Sequence, residues 1–254
     1  MNWDLPISEL VAIMLGAARA GAWLMLCPPF NSRLIPGQVK VLLSIGLALP
    51  MAPYLTTSVP TIQTSAIIAS SVLQVFVGAA LGFITYLFFA AVQAAGDLLD
   101  VFGGFTLASA YDPLSQNQSS VFGRFYNLVA ATLLFASDGH QLVLRGFLQS
   151  YKTLPLDASF SLETLSRLLT SGIGEMVVAA VQIAGPLIAV LFLTDVAFGL
   201  LNRVAPALNA FQLGFPAKIF LLLTLSGTAI AVLPRALDTL IDKAVTAVVR
   251  LSGG

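Results

Sequence analysis

Residues 64–96 read TSAIIASSVLQVFVGAALGFITYLFFAAVQAAG, and they belong to a longer interval, between Lys40 and Asp97, that contains no charged side chain. A helix needs about 20 apolar residues to cross the hydrocarbon core of a bilayer. The quoted run is longer than this requirement, and no proline interrupts it. It therefore predicts a long apolar helix in a protein that is embedded in a membrane or in an apolar assembly.

The composition of the whole chain supports this class of protein. Of its 254 residues, 57% are hydrophobic and 9% are charged, and the mean hydropathy is +0.92. An average soluble domain has about 25% charged residues, so a soluble monomer and a disordered chain are both excluded. The 12 Lys and Arg residues balance 12 Asp and Glu residues, so no basic surface for nucleic acid is expected.

Apolar stretches separated by proline, glycine and polar residues predict further helices. The predicted helices are 7–27, 38–55, 63–100, 121–150, 161–203 and 207–250. Three of them are too long for a single crossing, and the Lys and Arg residues between them give no clear orientation. We therefore predict an all-α fold of long, kinked hydrophobic helical hairpins, in place of a conventional bundle of six spans.

Recognisable catalytic and ligand-binding motifs are missing from the sequence. Cys27 is the one cysteine and His140 the one histidine, so a site with several histidines cannot form within one chain. An intramembrane enzyme that uses Asp97 with Asp100 or His140 is an alternative, but no nucleophile accompanies these groups in the sequence. We expect Asp138-Gly139-His140 to be an interruption of the helix with a hydrogen-bonded histidine. We expect no catalytic residue, no metal site and no cofactor.

Several charged residues lie within the predicted apolar helices, where contact with lipid would be costly. They can form ion pairs within the chain, pair with a neighbouring subunit, or bind a transported ion. A small-molecule permease with a site made from Arg19, Asp97 and Asp195 is the functional alternative that follows from the last possibility. The charged residues are Arg19, Asp97, Asp100, Asp195, Arg203 and Lys218.

The segment 103–120 is the most unusual stretch, since it begins with two glycines and ends with the longest uncharged polar run of the chain. Loops of this length are usually functional or disordered. It is either a solvated connector or a movable loop that lines or closes an aqueous passage. The candidate residues of this loop are Gly103, Gly104, Phe105, Tyr111, Asp112, Pro113, Ser115, Gln116 and Asn117.

An ordered series of residues along nearly the whole chain is typical of one protein family. The series includes Ala17 to Gly21, Pro28-Pro29-Phe30, Pro36, Leu47 to Pro50, Ala95-Gly96, Asp100, Gly103-Gly104, Asp112-Pro113, Gly139-His140, Ser150, Pro155, Gly185-Pro186, Asp195, Gly199, Arg203, Pro206, Asn209, Phe211 and Gly214 to Lys218. It resembles the FliR family of flagellar protein-export components. Asp138-Gly139-His140 and Gly214-Phe215-Pro216 are more similar to the flagellar branch than to the homologous virulence secretion components, which remain the alternative. Ala207 and Ala210 depart from the family pattern.

The resemblance implies a non-enzymatic subunit of an export gate that passes unfolded flagellar proteins. Its implied partners are FliP-like and FliQ-like subunits, an FlhB-like subunit and membrane lipid, in a hetero-oligomeric shell of the bacterial inner membrane within the flagellar basal body. Residues 1–150 would be the FliP-like part and 151–254 the FliQ-like helical hairpin. By position, the segment 103–120 would be the plug of the pore, and the charged residues would be structural or intersubunit pairs.

Overall fold

The computed structural model of the chain describes residues 6–106, 120–157, 162–206 and 210–251. These residues form helices and no strand, so the all-α prediction is confirmed. The α-helices are α1 (Ile7–Leu26), α2 (Gly37–Ala48), α3 (Ala52–Leu55), α4 (Thr64–Gly103), α5 (Val121–Ala136), α6 (Gly139–Thr153), α7 (Leu162–Val204) and α8 (Ala210–Leu251).

Four apolar stretches of the described residues are long enough to cross a membrane: Ile7–Leu26, Gly37–Ser58, Thr64–Gly103 and Leu165–Val204. The last two have 40 residues each, which corresponds to about 60 Å at about 1.5 Å per residue. The hydrocarbon core of a bilayer is only about 30 Å thick. The chain is therefore a membrane protein in which two helices are about twice as long as one crossing requires.

The structure divides the predicted segment 121–150 into α5 and α6, so one continuous helix is wrong and the expected interruption at Asp138-Gly139-His140 is confirmed. Asp138 lies at the junction with a φ of 57°, the left-handed conformation that ends a right-handed helix. Its carboxylate accepts a hydrogen bond of 3.1 Å from the side-chain amide of Gln141. The predicted helix 38–55 is not one α-helix: α2 ends at Ala48, Pro50 lies in the 3₁₀ helix Leu49–Met51, and Pro53 lies in α3.

The chain divides into two compact units, of which the first comprises Met1–Phe88, Ser137–Ile173 and Leu240–Gly254. Within it, α4 lies against α1 at two glycines. A Cβ atom on Gly82 would lie 2.9 Å from the carbonyl oxygen of Trp23, and one on Gly78 would lie 3.0 Å from Cα of Arg19. This GxxxG spacing lets two apolar helices approach closely.

The second unit comprises Phe89–Ala136 and Gly174–Thr239. Here α5 buries one face, on which the buried residues are spaced four apart: Phe122, Tyr126, Ala130 and Leu134. This spacing places them on one side of a helix. Phe122, the first residue of this buried face, lies two residues after Ser120, where the predicted loop ends.

Candidate functional site

The candidate site consists of the two ends of the predicted plug segment, together with the side chains that hold them. We call residues 98–105 and 120–123 the loop base. All of its residues lie in the second compact unit. The remaining predicted plug residues lie outside the described residues: Tyr111, Asp112, Pro113, Ser115, Gln116 and Asn117.

Asp100 connects the end of α4 to the start of α5. Its side chain is buried, with only 1% exposure, and Oδ2 accepts hydrogen bonds from the Ser120 hydroxyl and, at 3.0 Å, from the Phe122 amide. Ser120 in turn accepts a hydrogen bond of 2.8 Å from the Gly123 amide, as an N-terminal capping serine does. A carboxylate is also favoured at the positive end of the helix dipole. Asp100 therefore clamps together the two ends of the segment.

Asp100 also keeps one acceptor unused. Its Oδ1 atom is buried and makes no hydrogen bond within the described part of the chain. A buried carboxylate oxygen without a donor is destabilising. Oδ1 of Asp100 therefore can accept one further hydrogen bond.

Two glycines allow α4 and α5 to come together beside this clamp. A Cβ atom on Gly96 would lie 2.7 Å from Cα of Gly123. On the other side of the contact, the carboxylate of Asp97 lies directly against Gly123. Asp97 is half-buried, so it borders the loop base without the hydrogen bonds that hold Asp100.

Gly103 and Gly104 end α4, and Gly104 does so in a conformation that favours glycine. Gly104 has a φ of 84°, a left-handed value that other residues rarely adopt. A Cβ atom on Gly104 would lie 2.9 Å from the ring of Phe215, and one on Gly103 would lie 2.8 Å from Leu222. Both neighbours belong to α8, so this helix packs against the start of the segment.

A charged residue of α8 holds the same turn. Lys218 forms an ion pair with Asp195 of α7 and donates a hydrogen bond of 3.4 Å to the carbonyl oxygen of Phe102. The exposure of the two charged side chains is 17% and 49%. Lys218 therefore links α7 and α8 to the last turn of α4. Arg203, eight residues after Asp195 on α7, is exposed.

Arg19 belongs to the first compact unit, where its side chain is fully buried. It donates to Oε1 of Gln74 at 2.7 Å and to the carbonyl oxygens of Ser150 and Leu154 at 3.0 and 2.9 Å. These carbonyls lie at the C-terminal end of α6, where a cation is favoured. Arg19 therefore joins α1 to α4 and α6 through neutral acceptors.

Tyr151 completes this cluster. Its ring centroid lies 4.8 Å from the guanidinium carbon of Arg19, and its hydroxyl donates a hydrogen bond of 2.7 Å to the carbonyl oxygen of Gly16. Burial raises the pKa of the Tyr151 phenol, and the positive charge of Arg19 partly opposes that increase. The phenol therefore remains a neutral hydrogen-bond donor at physiological pH.

Four residues that hold the loop base or the Arg19 cluster were not predicted from the sequence: Ser120, Gln74, Phe102 and Phe215. Ser120 directly precedes an apolar run, which is a signal for a helix N-terminus. Gln74 is a polar residue between apolar neighbours, and this pattern is a signal for a buried hydrogen bond. The contacts of Phe102 and Phe215 depend on how α4 and α8 pack, and no local pattern encodes them. Among the described residues, no group of three or more His, Cys, Asp or Glu side chains could hold a metal ion.

Comparisons with known proteins agree over most of the chain. The model of the family described as "Bacterial export proteins, family 1" matches residues 10–244. The flagellar biosynthetic protein FliR of Pectobacterium carotovorum subsp. carotovorum is 30% identical over 92% of this chain and 89% of its own length. FliR of Bacillus subtilis (strain 168) is 31% identical over 82% of each chain. The surface presentation of antigens protein SpaR of Shigella flexneri is 32% identical over 61% of each chain.

Proposed function

We propose that the segment 103–120 closes the passage of an export gate. The premise is that this chain belongs to the family of bacterial export proteins that includes the FliR proteins. The chain is a component of the flagellar protein-export gate, as its relatives over most of its length are flagellar FliR proteins. The match to SpaR covers less of the chain, so the virulence branch is the second candidate. Members of such a family are transport components, and we propose no enzymatic activity.

The observation that carries the proposal is the double attachment of the segment. Asp100 holds its far end through Ser120 and Phe122, while Lys218 holds its near end through Phe102. A solvated connector does not need a buried carboxylate at its base. A loop that must stay in one position, and must be able to leave it, needs fixed ends and a glycine turn such as Gly103-Gly104.

The length and surface of the helices support assembly into a secretion export complex. Two helices exceed the bilayer thickness about twofold, so part of each must be covered by protein. On α7, Phe192, Leu193 and Leu200 are 59%, 64% and 60% exposed. We propose FliP-like, FliQ-like and FlhB-like subunits as the neighbours that cover such surfaces, within the bacterial inner membrane and the flagellar basal body.

The proposal keeps the assignment of residues 1–150 to a FliP-like part and 151–254 to a FliQ-like helical hairpin. In support, the second part contains α7 and α8, two apolar helices of 43 and 42 residues. Arg203 and the exposed side of Asp195 would then meet charged groups of neighbouring subunits. Unfolded flagellar proteins would be the cargo, and no cofactor is required.

The test is co-expression with FliP-like and FliQ-like subunits, followed by native mass measurement and ion conductance of the complex. We expect the chain to purify in a complex of defined mass, and deletion of residues 106–119 to raise conductance. A chain that purifies alone and binds a small solute would overturn the gate assignment in favour of a permease. An assembled gate whose conductance is unchanged by the deletion would overturn the role of the segment.

A further inference from the structure

A pair of amide side chains lies on the surface between α4 and α5, seven residues before the clamp at Asp100. The side-chain nitrogen of Asn127 donates a hydrogen bond of 2.9 Å to Oε1 of Gln93. Gln93 is exposed and Asn127 is half-buried. Together with the carboxylate of Asp97, four residues further along α4, they form a surface that we call the amide seam.

The surface around the amide seam is mixed. Phe125 and Leu128 of α5 are apolar and 39% and 68% exposed, whereas Arg124, one turn before Asn127, is charged and exposed. After the pair has formed, the side-chain nitrogen of Gln93 still has two hydrogens and Oδ1 of Asn127 still has its lone pairs. Such groups are much less stable against hydrocarbon than against a hydrogen-bonding partner. The seam therefore faces water or another polar surface in the assembled protein.

The unused groups of the seam match the chemistry of a peptide bond. One donor and one acceptor side by side can receive the C=O and N–H of an extended chain, whose own backbone groups are unpaired. Recognition of this kind does not depend on the sequence of the passing chain. The seam also adjoins the loop base, since Asp97 and Asp100 lie within about 11 Å of Gln93 along the axis of α4.

We infer that the amide seam of Gln93, Asn127 and Asp97 is a contact site for the backbone of an extended polypeptide in transit, placed just before the loop base. This inference rests on the proposed function, because it requires that the segment 103–120 closes a passage. It adds a binding site for the exported protein to a chain whose loop base holds the ends of the closing segment.

The experiment places a photoreactive benzoylphenylalanine at Gln93 in the complete gate within cells that export a flagellar protein stalled by a folded fusion domain. Leu128 carries the same group as the matched control, since it adjoins Asn127 and is exposed but apolar. We expect a crosslink from position 93 to the stalled protein and none from position 128. A crosslink from position 93 to a neighbouring gate subunit, equal with and without stalled cargo, would overturn the inference, as would the absence of any crosslink.

A second measurement does not depend on the photochemistry. We expect Gln93→Leu combined with Asn127→Leu to lower the export rate by about threefold or more, which is the effect of one hydrogen bond of ordinary net strength. The exchange Gln93→Asn with Asn127→Gln keeps one amide on each helix and should retain most of the rate. Equal rates for the leucine and the exchanged variants would contradict the inference.

The failure of this inference can be told apart from the failure of the proposed function. If the chain were not a gate subunit, it would not purify with the gate, and deletion of 106–119 would not change conductance. If only the seam were misassigned, assembly and conductance would behave as proposed, and the stalled protein would crosslink from other gate positions but not from position 93.

Discussion

Substitution of Asp100 tests most directly whether the loop base holds the segment closed. Asp100→Ala removes the acceptor of the Ser120 hydroxyl and of the Phe122 amide. A hydrogen bond to a charged group contributes about 1.5–3 kcal/mol, and an N-terminal cap contributes about 1 kcal/mol. Because Ser120 still caps Gly123, we expect a net loss of about 2 kcal/mol for the closed loop base.

A loss of this size has a measurable effect on a closed passage. About 2 kcal/mol changes the ratio of closed to open states by roughly 30-fold, and the conductance of a mostly closed gate rises in proportion to its open fraction. Asp100→Asn keeps one acceptor and one polar partner for Ser120. We expect it to lose about 1 kcal/mol and to raise the conductance by roughly fivefold.

The assay is the ion conductance of the assembled gate in planar lipid bilayers, with native mass measurement to show that assembly is intact. The matched control is Asp97→Asn, which changes a carboxylate one turn away that makes none of the hydrogen bonds of Asp100. Its conductance should equal that of the unmodified gate. The reasoning is refuted if the gate with Asp100→Ala assembles and its conductance is no higher than that of the gate with Asp97→Asn.

Three further predictions concern the other contacts. Lys218→Met should raise conductance less than Asp100→Ala does, by roughly fivefold or less, since a partly exposed ion pair contributes about 1 kcal/mol or less. The exchange of Asp195→Lys with Lys218→Asp should restore part of the difference, and no restoration would count against the pair. Gly104→Val should disturb closure by about 1–2 kcal/mol, because a β-branched residue is strained at positive φ, and a conductance like that of the unmodified gate would contradict this. Arg19→Met should lower the free energy of unfolding by about 3 kcal/mol, because three acceptors lose their donor. The measurement is the resistance of the chain to proteolysis in membranes. Arg19→Lys should rescue little, since an ammonium cannot reproduce the guanidinium fork.

The long helices could be predicted from the sequence because their signal is local. An uncharged run without proline, such as residues 64–96, allows few structures other than a helix in an apolar setting. The interruption at Asp138-Gly139-His140 could also be predicted, but the left-handed conformation of Asp138 could not. An aspartate adopts positive φ only occasionally, so its presence alone does not predict that conformation.

The candidate site was predictable in its location but not in its contacts. The glycine pair and the polar run marked the segment 103–120 as unusual, and the cost of charge marked Asp100 and Lys218 as buried or paired. Their partners could not be derived, because Phe102 and Asp195 meet Lys218 only when three helices pack together. The eight-residue spacing of Asp195 and Arg203 places both on one face of α7, but it carries no information about the neighbouring helix.

The buried cluster at Arg19 has a consequence for the order in which the chain can mature. The guanidinium enters the membrane with α1, yet its last acceptor is the carbonyl of Leu154, 135 residues later. At about 5–20 residues per second, ribosomes need roughly 7–27 s to add that stretch. During this interval, α1 carries a charge that costs about 2.5–3.5 kcal/mol in a lone membrane helix. The first helix therefore reaches its stable position only after α4 and α6 have been synthesised, so a nascent chain truncated before α6 should be recognised as immature by membrane quality control.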